Sequence, residues 1–149
     1  MRYEKYQFRT DEDLKIFEFL SVGKKGAIRK RVYFKTFENT DVYNLAFGDV
    51  NPETDDFDDM VITDNGDTEK VLATVATIVF TFLDKYTNAI VHAMGATPSR
   101  TRLYQIGISK NIEELQEKYQ VFGLFEDRFW IEFKKNVPYS AFYIKNKFQ

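Results

Sequence analysis

The stretch that decides the fold runs from Asp67 to Arg102: DTEKVLATVATIVFTFLDKYTNAIVHAMGATPSRTR. Val71, Leu72, Val75, Ile78, Val79, Phe82, Leu83 and Tyr86 recur at the 3.6-residue spacing of a helix, and Ala73, Ala76 and Phe80 widen the stripe. The pattern predicts a helix over Thr68 to Tyr86, N-capped by Asp67. So broad an apolar stripe lies deep against a sheet. Thr87-Asn88 ends the helix, Ala89 to Met94 reads as a short apolar strand, and Gly95 turns the chain. Thr97 and Pro98 then supply the N-cap and first position of a second helix, which Gly107 closes. A strand reached through a helix joins the sheet as a parallel strand.

Outward from this centre the periodicity changes to two. Toward the N-terminus, Tyr6 and Phe8 alternate with polar residues, and Leu14 to Leu20 forms a second run. Gly23-Lys24-Lys25-Gly26 is a hairpin loop leading into a third strand, with Ile28, Val32 and Phe34 on one face and Arg29, Arg31, Tyr33 and Lys35 on the other. Tyr43, Leu45 and Phe47 form a fourth alternating set, closed by Gly48-Asp49. Toward the C-terminus, a short helix from Ile112 to Tyr119 precedes strands near Gln120–Phe125, Arg128–Phe133 and Tyr139–Ile144. The order ββββ-α-β-α-α-βββ, with strands clustered at both ends, predicts one α+β domain over residues 1–149, a mostly antiparallel sheet under one long helix.

Composition narrows the chemistry. There is no cysteine, so disulfides, thiol nucleophiles and cysteine-ligated metals are excluded, and a single histidine, His92, excludes a multi-histidine site. No metal and no cofactor is expected. MRYEKYQFRTDEDLK lacks the apolar core of a secretory leader, and the apolar run Val71–Leu83 is too short to span a bilayer, so a cytoplasmic protein with no membrane partner is expected. Eight of the 23 acids (Asp49, Glu53, Asp55, Asp56, Asp58, Asp59, Asp64, Asp67) fall in one base-free segment, which reads as a surface loop. That leaves 15 acids against 21 bases elsewhere, an excess of six bases, so a near-neutral net charge does not rule out an anionic partner.

Two candidate sites follow. GATPSRTRLY (Gly95 to Tyr104) places a helix N-terminus after a glycine turn, and Thr97, Ser99, Arg100, Thr101 and Arg102 are its anion-binding candidates. Arg100 and Arg102 stand about 200° apart around a helix, so both cannot grip one small anion. The bland alternative is a well-capped helix with structural ion pairs. The second candidate is the basic strand face Arg29, Arg31, Tyr33 and Lys35, extended by Lys24 and Lys25, which suits single-stranded nucleic acid because cations meet phosphates and an aromatic stacks on bases. Its alternative is an ordinary solvated face. The acidic segment lacks calcium-loop spacing. His92 is expected to be hydrogen-bonded structure, and Trp130, between Phe129 and Ile131, is expected in the core.

Three segments, YNLAFGD (Tyr43 to Asp49), NGDTEKVLATVA (Asn65 to Ala76) and GATPSRTRLY, resemble an uncharacterised bacterial family of whole-domain proteins of this length, and GKKGAIRKRVYF (Gly23 to Phe34) is similar too. That resemblance implies a fold and no chemistry. In topology the chain also resembles the GNAT acetyltransferases, with antiparallel strands, a helix, a parallel strand, a helix and closing strands. Leu103-Tyr104-Gln105-Ile106-Gly107-Ile108 approximates the family's Leu-Tyr-x-x-x-Gly-Phe. The family's pyrophosphate loop is replaced here by Thr63-Asp64-Asn65-Gly66-Asp67, with two carboxylates where an anion would dock. The leading expectation is a non-enzymatic module for single-stranded nucleic acid or another polyanion. The alternatives are a GNAT-like acyltransferase or degenerate relative, and the protein-interaction half of a two-gene regulatory pair.

Overall fold

Helix α1 (Thr68–Lys85) organises the computed structural model, which describes residues 4–58 and 62–147. Its buried residues include Val71, Leu72, Val75, Ile78, Val79, Phe82 and Leu83, the apolar stripe seen in the sequence. Thr74 is buried with them because its hydroxyl donates to Lys70 O (2.7 Å) and accepts from Tyr6 N–H (2.8 Å). A polar side chain thereby ties the N-terminal segment to the helix with its hydrogen bonds made. Asp67 corrects the expected cap: its side chain makes no cap hydrogen bond and instead accepts from the Tyr6 hydroxyl (2.5 Å) and the Ser21 hydroxyl (2.6 Å).

The fold is α+β. Strands β1 (Phe8–Thr10), β2 (Ile16–Gly23), β3 (Gly26–Thr36) and β4 (Val42–Val50) run antiparallel in sequence order. A two-residue strand β5 (Phe57–Asp58) pairs the end of β4. After α1, β6 (Ile90–Ala93) adds to β4 in parallel. Helices α2 (Pro98–Lys110) and α3 (Ile112–Lys118) lead to β7 (Tyr119–Phe125), β8 (Phe129–Glu132) and β9 (Phe142–Asn146). The last strand inserts between β6 and β7, giving the order β1-β2-β3-β4-β6-β9-β7-β8.

The core lies on one face of this sheet. Phe17, Phe19, Val32, Phe34, Leu45, Phe47, Val91, Ile144 and Val121 meet α1, Ile108 of α2 and Leu115 of α3. Phe82 stacks on Phe34 at 4.0 Å between ring centroids and meets Tyr43 edge-on at 5.0 Å. Burying one such ring contributes about 2–3 kcal/mol. Because the three helices gather on one side, the opposite face of the sheet carries no helix among the described residues.

Two boundaries differ from expectation for clear reasons. Strand β4 does not stop at Gly48-Asp49, because Asp49 finds a buried partner in Lys30, its neighbour on β3. Helix α2 runs through Gly107 to Lys110; the glycine lies against Leu72, where an added methyl would sit at 3.4 Å or more, ordinary contact. The helix ends at Asn111, whose side chain donates back to Gly107 O (2.8 Å). Ahead of α1, the buried Asn65 clamps the β2–β3 hairpin: its Oδ1 accepts from Lys25 N–H (2.6 Å), and its Nδ2 donates to Gly26 O (2.9 Å) and Ser21 Oγ (3.2 Å).

Candidate nucleic-acid interface

Strand β3 sends Arg29, Arg31, Tyr33 and Lys35 to the helix-free face, as alternation requires. Glu18, opposite Arg31 on β2, accepts from three arginines: Arg31 Nε at 2.6 Å, Arg9 Nη2 at 2.8 Å and Arg29 Nη2 at 3.2 Å. Burial alone would raise the Glu18 carboxyl, but the hydrogen bonds from Arg9, Arg31 and Arg29 outweigh it and hold the group at about 2. Asp55, from the turn after β4, adds a second carboxylate 2.6 Å from Arg29 Nη2. Lys35 stays exposed. Lys24 and Lys25 sit at the exposed hairpin tip, where the Lys24 stem approaches Gly66; the bond from Gly66 N–H, and then these two charges, hold the nearby Asp64 carboxyl below its ordinary range.

Four of the loop's eight acids, Asp49, Asp55, Asp64 and Asp67, are taken up by the domain itself. Lys30, fully buried, donates to Asp49 Oδ1 at 2.6 Å and to Thr63 O at 2.9 Å, and Thr63 N–H donates to Asp49 Oδ2. Asp55 reaches the arginines, Asp64 accepts from Gly66 N–H, and Asp67 accepts two hydroxyls. Asp59 lies outside the described residues. The loop thus offsets part of the basic excess counted along the sequence, at Arg29, Lys30 and Arg31.

At α2, Thr97 is the N-cap, its Oγ1 accepting from Arg100 N–H at 3.3 Å with Pro98 at the first position. Thr101 N–H already donates to Thr97 O at 3.1 Å, and Thr101 Oγ1 accepts from Gly95 N–H while donating to Thr97 O. A side chain at Gly95 would come within 2.3 Å of Arg100 Cβ and Thr101 N, so only glycine fits this turn. Arg100 is half-buried and engaged within the domain. Ser99 and Arg102 are exposed and line an open groove of about 1270 Å³ between α2 and the segments around Glu126 and Pro138. Thr97 and Thr101 are occupied in building the turn and line the same groove as Ser99 and Arg102.

The helix-free face holds a feature the sequence reading misplaced. Trp130 is not in the core: it is 39% exposed on the edge strand β8. Its ring stacks on Tyr143 of β9 at 3.9 Å and 12°, and His92 of β6 meets Tyr143 edge-on at 5.3 Å. Registers place Lys35, Asn44, His92, Tyr143 and Phe122 side by side on five neighbouring strands, a row across the sheet that continues to Glu132. Asn44 Oδ1 and His92 Nδ1 lie 3.2 Å apart, and burial lowers the imidazole below its ordinary value. Lys145 Nζ lies 5.9 Å from the Phe122 centroid on the same face. In the sequence the only trace of this cluster is the period-two alternation that sets Trp130 apart from Ile131.

The N-terminus of α1, where the acetyltransferase resemblance would put a pyrophosphate, is lined by Asp64 and Asp67, and the Asp67 carboxylate bonds Tyr6 and Ser21. Anion binding there meets like charge. Among the described residues no three His, Asp or Glu side chains converge as a metal site, and no helix is long and apolar enough to cross a membrane. The chain belongs to a family of unknown function, DUF6934, whose model matches residues 2–147. Neither a curated protein nor a solved structure matches it significantly.

Proposed function

We propose that this DUF6934 protein is a binding module for single-stranded nucleic acid, which crosses the helix-free face of its sheet. The observation that carries the reading is the Trp130–Tyr143 stack, an aromatic surface left open to solvent where the fold had a core available to bury it. Bases stack on such platforms with about 1–3 kcal/mol each and little sequence preference. Along the same row, Asn44 and His92 offer hydrogen-bonding edges, and Lys35 and Lys145 supply cations for phosphates. Tyr33, on the same face of β3 as Lys35, extends the surface toward Arg31. Duplexes are poor ligands on this reading, because their bases are already stacked.

Trp130 is the sole tryptophan, so its fluorescence reports the contact directly. Titrating single-stranded RNA and DNA at low salt should quench it, with an affinity that falls as salt rises. Trp130→Ala, followed by anisotropy of a labelled strand, should weaken binding tenfold or more, in line with the loss of one stacked base. Unchanged fluorescence and flat anisotropy with both nucleic acids would end this reading.

A further inference from the structure

Two arginines of the helix-free face are bridged by a carboxylate that does not belong to the sheet. Asp55 Oδ1 lies 2.6 Å from Arg29 Nη2, and Asp55 Oδ2 lies 3.8 Å from Arg31 Nη2. The two guanidiniums rise from alternate residues of one strand, about 6.6 Å apart at the backbone, a spacing that one oxyanion spans. Glu18 holds the same arginines from the sheet side and is only 11% exposed, whereas the Asp55 side chain is 66% exposed. Glu18 is thus the fixed floor and Asp55 the removable cover. Arg29 Nε is buried with no hydrogen-bond partner, a donor that neither carboxylate satisfies.

Charge points the same way. Arg9, Arg29 and Arg31 face Glu18 and Asp55, three cations against two anions, and lifting Asp55 leaves two charges uncompensated. The turn that presents Asp55 is anchored by its own backbone, with Asp55 N–H donating to Asn51 O and Asn51 N–H to Asp56 O, both at 2.8 Å. The side chain can therefore leave the arginines without unravelling the turn. Arg31 lies four residues from Lys35 along β3, about 13 Å, within reach of one strand several nucleotides long.

We infer that Asp55 is an internal stand-in for a phosphate oxyanion: it closes a cradle formed by Arg29 and Arg31 in the free protein. On the nucleic-acid reading proposed above, on which this step rests, a backbone phosphate of the bound strand displaces it. The cradle makes binding self-limiting, because every ligand phosphate competes with a carboxylate already in place.

The test uses the whole protein with two probes, inorganic phosphate and a single-stranded oligonucleotide. Asp55→Asn keeps the shape and removes the charge at an exposed position, and Asp56→Asn controls for charge removal next door. Phosphate, followed through the side-chain N–H resonances of Arg29 and Arg31, should bind Asp55→Asn roughly threefold to tenfold more tightly than wild type. Oligonucleotide affinity should rise in step, Asp56→Asn should show neither gain, and Arg29→Ala should cancel both in the Asp55→Asn background. Equal phosphate affinity in wild type and Asp55→Asn, or an equal gain from Asp56→Asn, overturns the stand-in. Tighter phosphate binding with no oligonucleotide binding by any variant sinks the nucleic-acid reading and leaves the stand-in supported. Oligonucleotide binding that Asp55→Asn does not change sinks the displacement and leaves the reading supported.

Discussion

Lys30 and Arg31 are neighbours on β3, both are basic and both meet a carboxylate from another strand, yet they sit in opposite worlds. Lys30 points into the core, fully buried, with Asp49 as its carboxylate and Thr63 O as a further acceptor. Arg31 points to the open face, sharing Glu18 with two other arginines. The difference shows what each pair can do. A buried pair cannot release a partner without stranding a charge in the core. The open cluster holds more donors than acceptors and can exchange a carboxylate for another anion.

Lys30→Met tests the buried side and carries the largest expected effect. It leaves the Asp49 carboxylate enclosed without its cation, and urea unfolding should show a loss of about 3–5 kcal/mol. Adding Asp49→Leu should recover most of it, since the empty charge is then gone. A loss below about 1 kcal/mol from Lys30→Met alone would mean that Asp49 swings into water, and the contrast between the two faces would collapse.

Glu18→Gln comes next, at about 1–2 kcal/mol, because three guanidiniums lose their common anion while solvent still reaches all of them. The pH dependence sharpens it. The folded Glu18 carboxyl titrates at about 2, below its ordinary 4.5, so its contribution is complete above about pH 4.5 and is lost as the pH falls from there toward 2. Wild-type stability should fall across that window, and the Glu18→Gln protein should fall less steeply. Parallel acid limbs would show that Glu18 is not held by the arginines.

Trp130→Ala should cost only about 1 kcal/mol of stability, since the ring is partly solvated and its main contact is one stacked neighbour. A loss near that of a core aromatic, about 3–5 kcal/mol, would place the ring in the structural frame and remove its claim to a binding role. The smallest expected change is Asp55→Asn, below about 0.5 kcal/mol in thermal unfolding, because its ion pairs are surface pairs. A larger loss would turn the cover into a structural strut.

These residues also mark where the sequence could and could not be read. The stripe of α1, the parallel strand β6 and the Thr97-Pro98 start of α2 are local patterns, and each lies where periodicity puts it. Alternation likewise sorted Arg29, Arg31, Tyr33 and Lys35 onto one face. What it could not supply was partners. Lys30 finds Asp49 nineteen residues later, and Glu18 meets Arg31 thirteen residues on, through strand registers that no short window contains. Trp130 misled for the same reason: Phe129, Ile131 and Phe133 make its strand look like core, and only its place at the sheet edge exposes one side. The acidic segment finds its partners Arg29 and Lys30 on β3, far back in the chain, beyond any short window.

The Asn65 clamp doubles as a record of the protein's age. Asparagine followed by glycine loses its side-chain amide readily, because the next backbone nitrogen can attack the amide carbon with no side chain in its way. In the folded chain that nitrogen, on Gly66, is held by Asp64 Oδ1 at 2.9 Å, and the amide is held by Lys25, Gly26 and Ser21. Ring closure therefore waits for the hairpin and the loop to part, so deamidation counts local openings that leave no other trace. The product carries a carboxylate against the Gly26 carbonyl, where an N–H once donated, and the clamp cannot re-form. Stored protein should accumulate a more acidic, less stable charge variant at the rate of this opening, and Lys25→Pro, which removes one clamping N–H, should speed it.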